Sequence, residues 1–185
     1  MSRKLMSVVA TIVFAAATVS CTNEKEPATP SADSDGVCRL EALYPVEIRD
    51  KALFVQDAEN VFVGQVLSSK GQHVEEDHTP HSQFSVKVID NIKGTLPQNV
   101  SVSQTGGVVN NALCLRNGDP LLTDGSVYIF TTRYSKELDL HFITASHYGD
   151  IKLSPADSAT VLNGTGVPPA VAEMRRAAEN PPQPK

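Results

Sequence analysis

The chain contains no tryptophan, and its four tyrosines and six phenylalanines leave only 5% of the residues aromatic. So few flat rings offer little surface for stacking bases or sugars. The charge balance argues further against nucleic acid. Sixteen Lys and Arg stand against 21 Asp and Glu, a formal net charge of −5, with no basic patch to neutralise phosphates. Long apolar runs are scarce too. The uninterrupted stretch "LMSVVATIVFAAA", residues 5–17, has 13 residues, whereas a bilayer-spanning helix needs about 20. Catalytic signatures are also missing. The sequence holds no Gly-x-Ser-x-Gly elbow, no Ser-x-x-Lys of the penicillin-binding type and no phosphate-cradling glycine loop with Lys.

Arg3 and Lys4 precede the apolar run, and Thr18 and Ser20 end it, which is the order of an export signal over residues 1–20. Cys21 follows at once. The small residues 17–20 before it resemble a bacterial lipobox, with Thr18 where Leu is the usual occupant. The resemblance implies that the Cys21 thiol takes a diacylglyceryl group and becomes the first residue of the mature chain. An ordinary secretory signal with a nearby cysteine is the other reading. Residues 21–36, "CTNEKEPATPSADSDG", are too polar to form a core and suit a disordered tether. Loss of residues 1–20 removes two positive charges and no negative ones, so the formal charge moves from −5 to −7. The expected location is extracytoplasmic, at the cell membrane through a lipid anchor.

Residues 37–181 are enough for one domain with its own core, and residues 182–185 make a frayed tail. Two cysteines remain after Cys21, namely Cys38 and Cys114. In an oxidising compartment such a pair favours a disulfide, with a reactive or metal-binding thiol pair and two free thiols as alternatives. "YPVEIRDKALFVQDAEN" predicts a short helix after Pro45, with Ile48, Ala52 and Val55 on one stripe. The period then shortens. "NVFVGQVLSS" is apolar on both faces, as a central strand is. "SQFSVKVIDNIKG" alternates Phe84, Val86 and Val88 with Ser85 and Lys87. "QNVSVSQTGG" repeats the alternation and closes on Gly106-Gly107, with a loop around Cys114 after it. "SVYIFTT", "LDLHFITAS" and "GDIKL" complete about six strands. "PPAVAEMRRAAEN" reads as a C-terminal helix with Val171, Met174 and Ala178 inward. The expected fold is mainly β: a small antiparallel barrel or sandwich with a leading and a terminal helix.

The segments "AENVFVGQV", "FSVKVIDNIKG", "VSVSQTGG", "GDPLLTDGSVYIF" and "YGDIKL" together resemble a group of bacterial, especially actinobacterial, exported proteins. That group is similar to the netrin-like, or tissue-inhibitor-of-metalloproteinase-like, domain. The resemblance covers about residues 58–153 and implies an OB-type barrel. The animal inhibitors of that fold chelate a protease zinc with the free amine and carbonyl of an N-terminal cysteine. Here Cys38 is internal, and a lipidated Cys21 sits at the membrane, so neither meets that requirement.

One polar cluster suggests chemistry. "HVEEDHTPH" places His73, His78 and His81 among Glu75, Glu76 and Asp77, donors that suit Zn, Cu or Ni. Thr79-Pro80 breaks any helix there, so the alternative is a solvated hairpin loop between two strands. His141 and His147 read as ordinary strand or surface residues, and Asp119, Asp124 and Asp150, beside Gly or Pro, as turn formers. The function expected is a non-enzymatic, membrane-anchored module that binds an envelope protein or a wall polymer. A Zn- or Cu-binding lipoprotein using residues 73–81 is the alternative.

Overall fold

Successive side chains of a strand point to opposite faces. Strand β2 (Asn60–Val74) is apolar on both, with Val61 and Val63 on one and Phe62 and Val66 on the other, all fully buried. Such a strand belongs inside a sheet. In the computed structural model, which describes residues 37–40, 51–145 and 148–180, β2 pairs antiparallel with β3 (Pro80–Lys93) on one edge and β6 (Val127–Ser135) on the other.

The remaining elements are β1 (Val37–Leu40), α1 (Lys51–Asp57), β4 (Asn99–Val109), β5 (Ala112–Arg116), β7 (Leu140–Ile143), β8 (Asp150–Lys152), α2 (Pro155–Leu162) and α3 (Pro169–Glu179). The chain is mainly β. Its eight described strands form one sheet in the order β1-β5-β4-β3-β2-β6-β7, with β8 on β6. A further pairing of β4 with β7 closes β2, β3, β4, β7 and β6 into a ring. The expected all-antiparallel arrangement is corrected here. β4–β7 runs parallel because a ring of five strands cannot alternate direction throughout, and β1 also lies parallel to β5.

The two faces of the strands build two cores. Phe62, Phe84, Val86, Val102, Tyr128 and Phe130 fill the inside of the ring, with Phe62 and Phe130 stacked at 5.1 Å. Val61, Val63, Val127 and Ile129 look the other way, onto Phe54 and Val55 of α1 and Val171 and Met174 of α3. Each fully buried side chain of this size contributes about 1.5–3 kcal/mol. The stripe expected on α3 is present, Ala178 being partly buried beside Val171 and Met174. Arg175 pairs with Asp90 and ties α3 to β3. For the leading helix, Val55 is buried as expected, while Ile48 lies outside the described residues.

The "IKG" end of β3 has a definite use. α1 has no basic residue in its last turn. Lys93 supplies the cation from β3, donating to the carbonyls of Val55 (2.9 Å), Gln56 (2.9 Å) and Ala58 (2.6 Å). Gly94 follows at φ +81°, and a Cβ there would stand 2.4 Å from the Asn60 side chain.

Three expectations about elements change. Gly106-Gly107 does not end β4, which runs through to Val109 and turns at Asn110-Asn111, both at positive φ. The glycines instead give clearance, since a Cβ on Gly107 would meet Gln72 at 2.6 Å and Pro80 at 3.1 Å. The segment around Cys114 is a strand, β5, and β1 lies parallel beside it with Cys38 in register with Cys114. Their Cα atoms are 4.4 Å apart and the disulfide joins them. Helix α2 begins at Ser154, whose hydroxyl accepts from the Asp157 N–H at 3.1 Å, with Pro155 in the first turn.

Candidate functional site

The β2–β3 hairpin projects beyond the part of β2 that β6 covers: among the described residues, that pairing runs only from Asn60 to Gln65. Its tip is built by the acidic run. The Glu75 N–H donates to the Thr79 carbonyl at 3.0 Å, and the His78 N–H to the Glu75 carbonyl at 2.9 Å. The Asp77 carboxylate accepts the Thr79 N–H at 2.9 Å, and that bond holds its pKa below the ordinary carboxylate value. His78, at φ +65°, occupies the turn and is exposed. His73 and His81 face each other across the two strands. The structure therefore brings His73 and His81 together and leaves His78 at the tip. Among the described residues no group of three or more His, Cys, Asp and Glu is placed to hold a metal ion.

His81 is half-buried, with its Nε2 at 3.2 Å from the Glu75 carboxylate and its ring edge-on to Phe142 at 6.1 Å. Burial lowers its pKa, opposed by Glu75. Its Nδ1 is buried without a hydrogen-bond partner. A carboxylate–imidazole pair is thus present, and no hydroxyl or thiol among the described residues bonds the second nitrogen.

This hairpin forms one wall of a groove. A cavity of about 420 Å³ lies between Lys70, His73, Glu75 and His81 on the hairpin, Ser101 and Ser103 on β4, and Leu138, Leu140 and Phe142 around the β6–β7 turn. A second cavity, of about 550 Å³, continues from it through the shared residues Ser101 and Asp139. Glu59, Asn60, Leu96, Pro97, Tyr134 and His141 line this second part. Pockets that take small ligands measure about 300–1,000 Å³.

Tyr134 is the aromatic group at the rim. Its hydroxyl donates to Asp139 at 2.8 Å, which raises its pKa above the ordinary phenol value. Its backbone N–H donates to the Glu59 carboxylate at 2.9 Å. Its ring lies 4.8 Å from that of His141, which contacts Phe62 edge-on at 6.5 Å. His141, expected to be an ordinary strand residue, is 6% exposed and reaches from the cavity wall into the ring core. Burial lowers its pKa against the pull of Asp139 and Glu59, and its Nδ1 also lacks a partner. Ser103, 2% exposed, carries a third unpartnered polar atom on these walls, its Oγ. Sequence reading missed Tyr134, Asp139 and Ser103. No sequence signal marked the β6–β7 rim, where Leu138 and Asp139 are exposed.

Asp124 sits in an exposed turn as expected and the Asp119 N–H closes a turn onto the Arg116 carbonyl at 3.0 Å, but both Asp119 and Asp150 are buried, and Asp150 opens strand β8 instead. The Gln104 amide donates to Asp150 Oδ2 at 2.9 Å, to the Pro120 carbonyl at 3.0 Å and to Asp119 Oδ2 at 3.4 Å. Its own oxygen accepts the Leu122 N–H at 2.9 Å. Burial, reinforced by Asp119, pushes the Asp150 pKa up to about 9. Cys21, the tether and His147 lie outside the described residues. No helix among the described residues is long and apolar enough to cross a membrane. Neither a known protein family nor a curated protein matches the chain.

Proposed function

We propose that this protein is a non-enzymatic binding module of the cell envelope, acylated at Cys21, tethered by residues 21–36 and built on an OB-type, netrin-like barrel. An envelope protein or a wall polymer seats in the groove between the β2–β3 hairpin and the β6–β7 turn. In an OB barrel the ligand face crosses the second and third strands, flanked by the loop joining strands one and two and the loop joining four and five. Counting the ring strands in chain order (β2, β3, β4, β6, β7), that face falls on β3 and β4, between the β2–β3 tip and the β6–β7 turn. The residues of the 420 Å³ cavity come from those segments and the adjoining β7, and this coincidence carries the proposal. The one parallel contact of the ring, β4 with β7, is also the OB arrangement.

The experiment is affinity capture from solubilised envelope, comparing the full chain with Tyr134→Ala and with Asp139→Asn. Both positions are exposed, and Asn tolerates the φ of +52° at Asp139. The expected result is a component held by the parent and lost or reduced with the variants. Identical capture by all three proteins would remove the groove from the function.

A further inference from the structure

Resting on that reading, we infer that the groove takes an uncharged, hydroxyl-rich glycan chain rather than an extended peptide. A peptide strand is bound chiefly by main-chain hydrogen bonds to a free sheet edge. The strands beneath this groove offer only a short one, the Asn99–Ser101 stretch of β4, because β7 pairs with β4 at Val102 and Ser103 alone. β3 is paired with β2 and β4, β4 with β3, β5 and β7, and β7 with β6 and β4. The exposed outer stretch of β2 is blunted by bulges after Val66 and Ser69, by Lys70 and by Gly71 at φ +99°. Recognition must come chiefly from side chains.

Those side chains fit sugar hydroxyls. Gln83, Asn99, Ser101 and Asp139 set amide, hydroxyl and carboxylate groups along the floor and rim, and such groups engage neighbouring hydroxyls in pairs. Leu138, Leu140 and Phe142 give an apolar wall for the C–H face of a ring. Lys70 is the one cation in the lining, against the carboxylates Glu59, Glu75 and Asp139, which disfavours phosphate-bearing or otherwise anionic polymers. Two cavities joined at Ser101 and Asp139 suit a chain of several units. The walls also hold unused hydrogen-bonding capacity. Ser103 Oγ is buried without a partner, and so is His81 Nδ1, which becomes an acceptor when Nε2–H is directed at Glu75.

The test uses solubilised envelope material divided in two, one half digested exhaustively with protease, and the full chain immobilised. The expected result is that capture survives digestion, that the captured fraction yields sugars on hydrolysis, and that Tyr134→Ala and Asp139→Asn each weaken it at least tenfold. Ser103→Ala separates a ligand role from a structural one. Removing an orphan hydroxyl should raise the melting temperature while lowering affinity for the protease-resistant fraction, and a raised melting temperature with unchanged affinity counts against the inference. If capture depends on Tyr134 and Asp139 but disappears after protease, the ligand is a protein; the glycan inference is then overturned while the groove reading stands. If the variants capture as the parent does, both readings fail.

Discussion

A side-chain amide has two hydrogens, yet Gln104 turns its amide toward three acceptors, Asp119, Pro120 and Asp150. Its orientation is fixed from behind by the Leu122 N–H on its oxygen. A second ionised carboxylate in such a place, beside Asp119, is expensive, and Asp150 stays protonated up to about pH 9. The unfolded chain releases that proton near the ordinary value of 3.8. Between those limits unfolding releases a proton, so raising the pH favours the unfolded state. His81 and His141 act in the other direction. Their pKa values lie below the ordinary 6.5, so unfolding takes up protons as the pH drops below that value and acid destabilises. Asp150→Asn should therefore remove the loss of stability that accumulates between 3.8 and about 9: its gain in urea midpoint over the parent should be larger at pH 9 than at pH 5. A gain independent of pH would mean that Asp150 is ionised in the folded chain.

At the scale of elements, alternation was legible where it was long. β3 and the start of β4 alternate buried and half-buried residues, while β2 and β6 were readable as strands buried on both faces from "VFV" and "VYIF". β5 was missed because only Cys114 of its five residues is fully buried, and β1 because the strand it pairs with lies 76 residues away. α2 was missed because it buries no side chain and so has no apolar stripe; only its Ser154-Pro155 start marked it. Gly106-Gly107 misled because glycine serves close approach as well as turns. The disulfide was expected from compartment and parity, but its purpose emerges only from the register, where it fastens the short parallel pair β1–β5 across a sequence separation of 76. Parallel pairing this brief has little stability of its own. Replacing Cys38 and Cys114 by Ala should lower the unfolding free energy by up to about 4 kcal/mol. Amide exchange should accelerate first in Val37–Leu40 and Ala112–Arg116 and only later in the ring strands. Uniform acceleration across the sheet would show that β1 is integral to the ring rather than stapled to it.

The groove exists only at the scale of the whole molecule. Its lining runs from Glu59 to Phe142 in sequence and is gathered by ring closure, so no local motif announces it. The histidine-rich segment was noticed for its donors, but its place in the fold is as one wall of that groove, with His73 and His81 across the hairpin from each other. In the proposed function, acylation at Cys21 is what keeps this binding surface in the envelope. A single acyl chain holds a protein to a bilayer marginally, and two or more hold it stably, at about 0.8 kcal/mol per buried methylene. The sixteen residues from Cys21 to Gly36, polar and Pro-dotted in composition, precede the first described strand. A flexible chain of that length has a root-mean-square reach of about 20–24 Å, enough to clear the headgroups and present the groove to wall material. Expressed in a bacterium that lipidates exported cysteines, the full chain should fractionate with membranes and carry a diacylglyceryl mass on its N-terminal residue. Cys21→Ser should be exported yet recovered in the soluble fraction, with unchanged groove affinity. A soluble, unmodified parent chain would leave the groove intact as a binding site but remove the anchor from the proposal.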